Sequence, residues 1–116
     1  MLRKGQEMER EVRQRMREGK GEVEIVHIFK KEELGGKTRL FARLLLGSGC
    51  SIGYHAHADE EEIFYVLRGQ GKVTEDDKTY SVEAGDAILT GGGGGHSVEN
   101  TSSDTLELLA VILLYA

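Results

Sequence analysis

The chain has 116 residues, with 15 Lys and Arg against 20 Asp and Glu, a formal net charge of −5 and a pI near 5.4. That length suits one domain with one core, the acidic balance argues against nucleic acid as a partner, and no apolar run reaches the roughly 18 residues of a membrane span. The single cysteine, Cys50, excludes an intramolecular disulfide and points to a reduced, cytoplasmic setting.

Residues 1–20 carry both signs of charge and no apolar h-region, so they do not read as a secretory signal. Within them, residues 6–18 predict a short charged helix. Met8, Val12 and Met16 recur every fourth residue as a narrow apolar stripe, and Gly19 stands where a helix-ending glycine would. The expected organisation is therefore an N-terminal helical segment over 1–20 and one all-β domain over 21–116.

From Val23 the period changes to two. Val23, Ile25, His27 and Phe29 share one face and Glu24, Val26 and Ile28 the other. The apolar run 38–46 follows, then short strands near 51–57, 61–68, 71–75, 79–82, 86–90, 96–99 and 105–115. Glycine or Asp-Asp turns separate most of them. Sixteen Gly and no Pro, where about 5% Pro is usual, fit a turn-rich barrel or sandwich whose corners are glycine.

Two segments carry chemistry. The first runs Gly49-x5-His55-x-His57, continues through Glu60, Glu61 and Glu62, and ends at Gly69. The second runs Gly85-x5-Gly91-x-Gly93-x2-His96-x3-Asn100. His55 and His57, two apart on a strand, face the same way about 6.6 Å apart, a gap that one metal with bonds of about 2.1 Å can bridge. Imidazole and carboxylate are ligands that borderline divalent metals accept. His27 fits neither segment and reads as a packed or interface histidine.

The last strand, Leu106 to Tyr115, is apolar on both faces: Leu106, Leu108, Ala110, Ile112 and Leu114 on one, Leu109, Val111, Leu113 and Tyr115 on the other. A small barrel buries only one face of a strand in its interior. The other predicts a covered surface and a homodimer.

These two segments resemble the two motifs of the cupin superfamily. The first matches at every defined position; in the second, the family's usual Pro is Gly91. The resemblance implies a double-stranded β-helix, jelly-roll-like barrel. It also implies a metal held by His55, His57, Glu62 and His96, with Glu62 selected from the three adjacent glutamates because it stands seven residues before Gly69. Strand parity then puts Phe64 and Val66 inward with Glu62, and Val98 inward with His96. Phe64, Val66 and Val98, with Arg43, are the candidate substrate-binding residues. Gly91 for Pro predicts a mobile glycine loop at the mouth. The N-terminal arrangement is similar to single-domain bacterial cupins related to oxalate-binding and oxalate decarboxylase-like proteins.

Three histidines and one glutamate leave two adjacent positions on an octahedral Mn, Fe, Co or Ni ion, and fewer on Zn. Two such positions suit a bidentate oxygen ligand: oxalate, an α-keto acid, an enediol or bicarbonate. Glu62 counts against thiol dioxygenase chemistry, which in this superfamily uses three histidines alone. Sugar-phosphate isomerase chemistry would want several basic residues at the pocket, and only Arg43 can be placed there from sequence. Two functional readings stand: a metalloenzyme of decarboxylase, dioxygenase or isomerase type, and a metal-dependent binding module without turnover.

Overall fold

A computed structural model describes all of residues 1–116. Ten strands carry the fold, and helix is confined to three single 3-10 turns. The strands are β1 (Glu9–Gln14), β2 (Glu22–His27), β3 (Thr38–Leu46), β4 (Ser51–Ala56), β5 (Glu60–Arg68), β6 (Gln70–Glu75), β7 (Lys78–Glu83), β8 (Ala87–Gly91), β9 (Gly95–Glu99) and β10 (Leu106–Leu114). One antiparallel sheet runs β1-β2-β3-β10-β5-β8 and the other β4-β9-β6-β7. The strands expected from period-two patterning from Val23 onward all form.

The two sheets enclose a core of alternating side chains: Ala42, Leu44 and Leu46 from β3, Phe64 and Val66 from β5, Val98 from β9, and Leu106, Leu108 and Ala110 from β10. Asn100, which closes the second motif, has a structural role. Its buried amide donates to the carbonyls of Leu46 (2.9 Å) and Asp104 (2.7 Å), and its oxygen accepts from the Ser102 amide. Those bonds tie the end of β9 to the start of β10. No helix is long and apolar enough to cross a membrane.

The expected helix over 6–18 does not form. Residues Glu9–Gln14 instead extend the larger sheet by pairing antiparallel with β2. The chain then turns sharply through Arg15, Arg17 and Glu18, all with positive φ (49°, 54° and 64°). Left-handed backbone at three non-glycine residues is uncommon, and it aims Met16 into the core. The four-residue spacing of Met8, Val12 and Met16 therefore arises without helix: Val12 is exposed on a strand and only Met16 is packed.

Candidate metal centre

β4, through a bulge, presents His55, and His57 follows directly after the strand's end at Ala56. Ile52 pairs with Val98 but His55 pairs with His96, so the register slips by one residue across Gly53-Tyr54. The slip lets Ile52 and His55 both point inward although they are three apart, while Tyr54 turns out. Gly53 has no room for a side chain, since a Cβ there would lie 1.8 Å from the Arg17 carbonyl oxygen. Glu62 comes from β5 and His96 from β9. His57, Glu62 and His96 are buried.

The four side chains converge. His96 Nε2 lies 3.1 Å from both His57 Nε2 and His55 Nε2, and 3.0 Å from Glu62 Oε1. His57 Nε2 lies 2.9 Å from Glu62 Oε1, and His55 Nε2 lies 3.8 Å from it. On an octahedral ion with bonds near 2.1 Å, neighbouring donors stand about 3.0 Å apart and opposite ones about 4.2 Å. The separations from His96 and between His57 and Glu62 are those of neighbouring octahedral donors, and all four atoms lie within 4.8 Å of one another.

The far side of each ring fixes its tautomer. His55 Nδ1 donates to the Gly53 carbonyl at 2.8 Å, and His57 Nδ1 donates to the Glu60 carboxylate. His96 Nδ1 lies 3.1 Å from the Thr90 hydroxyl, which spends its own hydrogen on Glu75 at 2.6 Å and so accepts from the ring. With the rings neutral, each Nε2 thus presents a lone pair toward the other rings and the Glu62 carboxylate. A metal cation satisfies that arrangement, and in its absence a ring proton does. Outer partners of this kind orient metal-binding histidines and raise their basicity.

Electrostatics agree. Burial alone would raise the Glu62 carboxyl, but when no ion is bound, hydrogen bonds from protons on the His55, His57 and His96 rings outweigh it and hold the group ionised far below the usual carboxylate range. The bond to Glu62 raises His57. Burial lowers His96 and favours its neutral, ligating form. The three consecutive glutamates divide their roles. Glu62 faces the cluster. Glu60 orients His57 while held by both nitrogens of the Arg39 fork at 3.0 Å, a pairing that keeps its carboxyl low. Glu61, on the opposite face, packs against Gly91.

A cavity of about 80 Å3 reaches the cluster between the two sheets. At about 30 Å3 of liquid per water, it suits a ligand of a few heavy atoms. Phe64 lines it as expected and stacks on the His96 ring (centroids 4.8 Å apart, 13° between planes). Val66 and Val98 are buried inward but belong to the core rather than the cavity wall. Arg43 is a correction. It leaves the barrel on the outer face of β3 and bonds Glu107 at 2.7 Å, because the inward residues of that strand are Leu40, Ala42, Leu44 and Leu46.

The arginines at the cavity are instead Arg13, Arg17 and Arg39. Sequence reasoning missed them because a helical reading of 6–18 gives Arg13 and Arg17 no reason to face a pocket. A wider depression of about 210 Å3 beside His27 and Lys30 does not reach the four ligands. His27 itself bonds Glu11 at 2.7 Å, apart from the cluster.

The glycine turn also departs from expectation. A Cβ on Gly91 would fall 2.5 Å from the Tyr115 hydroxyl and 2.6 Å from the Glu61 Cβ, so the family's proline has no space here. Rather than hanging free, the turn is bonded to the His57 backbone on both sides: the His57 amide donates to the Gly94 carbonyl (3.0 Å) and the Gly93 amide to the His57 carbonyl (2.9 Å).

A family model described as "Cupin domain" matches residues 43–112. The chain is 48% identical over 99 residues to a protein of Thermotoga maritima described as an oxalate-binding protein, covering 85% of this chain and 82% of that one. A crystal structure of a predicted oxalate decarboxylase from T. maritima superposes with a TM-score of 0.93 at 45% identity, covering 98% of this chain and 99% of the other. The cupin domain of Schizosaccharomyces pombe Cnp3, 13% identical, shares the fold at a TM-score of 0.73 over 90% of this chain and 68% of that one.

Proposed function

The chain belongs to the cupin family, and we propose that it holds one divalent metal ion through His55, His57, Glu62 and His96 and with it binds a small bidentate carboxylate, oxalate first. The observation that carries this reading is the convergence of three Nε2 atoms, each with its Nδ1 engaged elsewhere, and the Glu62 carboxylate within a few ångströms of one another. The donor set suits Mn, Fe, Co and Ni, and accepts Zn; which one is bound depends on supply as well as affinity. Once bound, such an ion polarises an oxygen ligand as a Lewis acid. Oxalate ranks first because a relative covering most of the chain is described as binding it, and because the cavity admits only a small molecule.

Binding is favoured over turnover. The titratable side chains lining the cavity are the ligands His55, His57 and Glu62 and the three arginines. Beyond the ligands and the guanidinium groups, no carboxylate, imidazole, amine or thiol lines the cavity to serve as a free acid or base. The enzymatic alternative, of decarboxylase, dioxygenase or isomerase type, requires such a group. Calorimetric titration of the metal-loaded protein with oxalate is expected to give one site per chain and no heat after chelation. Heat that survives chelation would place the ligand elsewhere, and release of formate and carbon dioxide would establish turnover.

The protein is further proposed to act as a homodimer through the outer face of its larger sheet. Leu109, Val111 and Leu113 lie half-buried there, with Phe41 and Ile63 on the paired strands beside them, and Tyr65, Leu67 and Leu89 are exposed. Monomers rarely leave so broad an apolar surface in water. Light scattering at micromolar concentration is expected to give twice 12.8 kDa; a mass near 12.8 kDa would refute the dimer. Cys50, the sole cysteine and free, supports a reduced, cytoplasmic setting.

A further inference from the structure

We propose that Arg17, assisted by Arg13, forms an anion subsite at the mouth of the metal cavity that selects dianionic ligands over monoanionic ones. The inference rests on the reading above and extends it to residues outside both sequence motifs.

Both residues line the cavity that reaches His55, His57 and Glu62. They are delivered by a strap whose course is specified in detail. β1 pairing with β2 fixes Arg13 opposite Val23. The turn that follows is held by the Arg15 amide on the Gly21 carbonyl (2.8 Å) and the Ser51 amide on the Lys20 carbonyl (2.8 Å). Met16 packs against the core at its middle. The strap lies so close to β4 that a Cβ on Gly19 would fall 2.1 Å from the Ser51 carbonyl oxygen, and one on Gly53 1.8 Å from that of Arg17. Three non-glycine residues accept positive φ to take this path. Left-handed backbone at such residues is strained and persists where surrounding structure imposes it. Its result is that Met16 points to the core while Arg13 and Arg17 line the cavity.

The charges then decide the ligand class. Arg39 is committed to Glu60, Arg13 leans on Glu11 at 3.3 Å, and Arg17 stands in no ion pair. Three neutral imidazoles, the Glu62 carboxylate and a divalent ion leave one net positive charge at the cavity floor, and Arg17 adds a second at the mouth. Two positive charges match a dianion. An anion with two carboxylates that gives one oxygen of each to an ion keeps two oxygens for guanidinium donors, whose fork fits carboxylate oxygens. A hydroxy-acid monoanion such as glycolate can chelate an ion equally well but offers that fork one fewer charged group.

Calorimetry on manganese-loaded full-length protein, with oxalate and glycolate as probes, tests this. A charge-assisted contact is worth roughly ten- to hundredfold in binding. Arg17→Gln is therefore expected to weaken oxalate by that factor while glycolate shifts by less than about threefold, with one equivalent of metal retained. Arg17→Lys should restore most of the oxalate affinity, and Arg13→Gln should show a smaller loss of the same selectivity. Wild-type oxalate affinity in Arg17→Gln overturns the subsite while leaving the metal-and-carboxylate reading intact. Equal loss of both probes overturns it too, since the strap would then only shape the cavity. Wild-type protein that binds no oxalate when loaded overturns both.

Discussion

Phe64→Ala is expected to destabilise the protein by about 3–5 kcal/mol, the usual range for truncating a buried aromatic side chain. Phe64 is 1% exposed and touches three things at once: the core, the cavity, and the His96 ring on which it stacks. Removing it leaves a void beneath a metal ligand, so metal affinity should fall along with stability. Phe64→Leu separates the two effects. It refills most of the volume and should recover much of the stability, while the stacking surface that orients His96 stays absent. Urea unfolding of both variants without metal, set against metal titration of both, checks this. Full recovery of metal affinity in Phe64→Leu would mean that volume alone matters.

Metal loading is expected to have the second large effect. A ligand present at a hundred times its Kd stabilises the native state by about 2.7 kcal/mol, which for a chain of this length raises Tm by roughly 10 °C. The reason is visible in the cluster itself, where three imidazoles and an ionised carboxylate converge at about 3 Å. His57→Ala removes one donor and leaves the Arg39–Glu60 pair in place. Its melting temperature should therefore be insensitive to added Mn, Ni or Zn. A rise equal to that of the wild type would show that the stabilising metal binds elsewhere.

Much of this site was legible because its ligands fall in two motifs. The two-residue spacing of His55 and His57 suggested a shared face, the resemblance to the family motifs added Glu62 and His96, and the structure brings all four together. What was illegible came from tertiary contacts. β3 reads TRLFARLLL, with Leu40, Ala42, Leu44 and Leu46 on one face and Phe41 and Leu45 beside Arg43 on the other; both faces carry large apolar side chains, and which of them turned inward depended on the strand's register in the barrel. The bulge at Gly53-Tyr54 follows from the approach of the Arg17 carbonyl, a contact 36 residues apart in the chain. The space a side chain would need at Gly91 is taken by Glu61 of the paired strand and by the Tyr115 hydroxyl, which only the folded chain brings near. The N-terminal strap carried the strongest false signal. Its four-residue apolar spacing imitated a helix, and the positive φ values at Arg15, Arg17 and Glu18 have no counterpart in local propensity. That misreading also hid the two arginines that reach the cavity.

The claim that His55, His57, Glu62 and His96 form one metal centre is tested most directly by elemental analysis of chelator-stripped protein, reloaded with manganese and dialysed, for the wild type and His57→Ala side by side. The account predicts about one equivalent per chain in the wild type and close to none in the variant; equal metal content in the two proteins would contradict it.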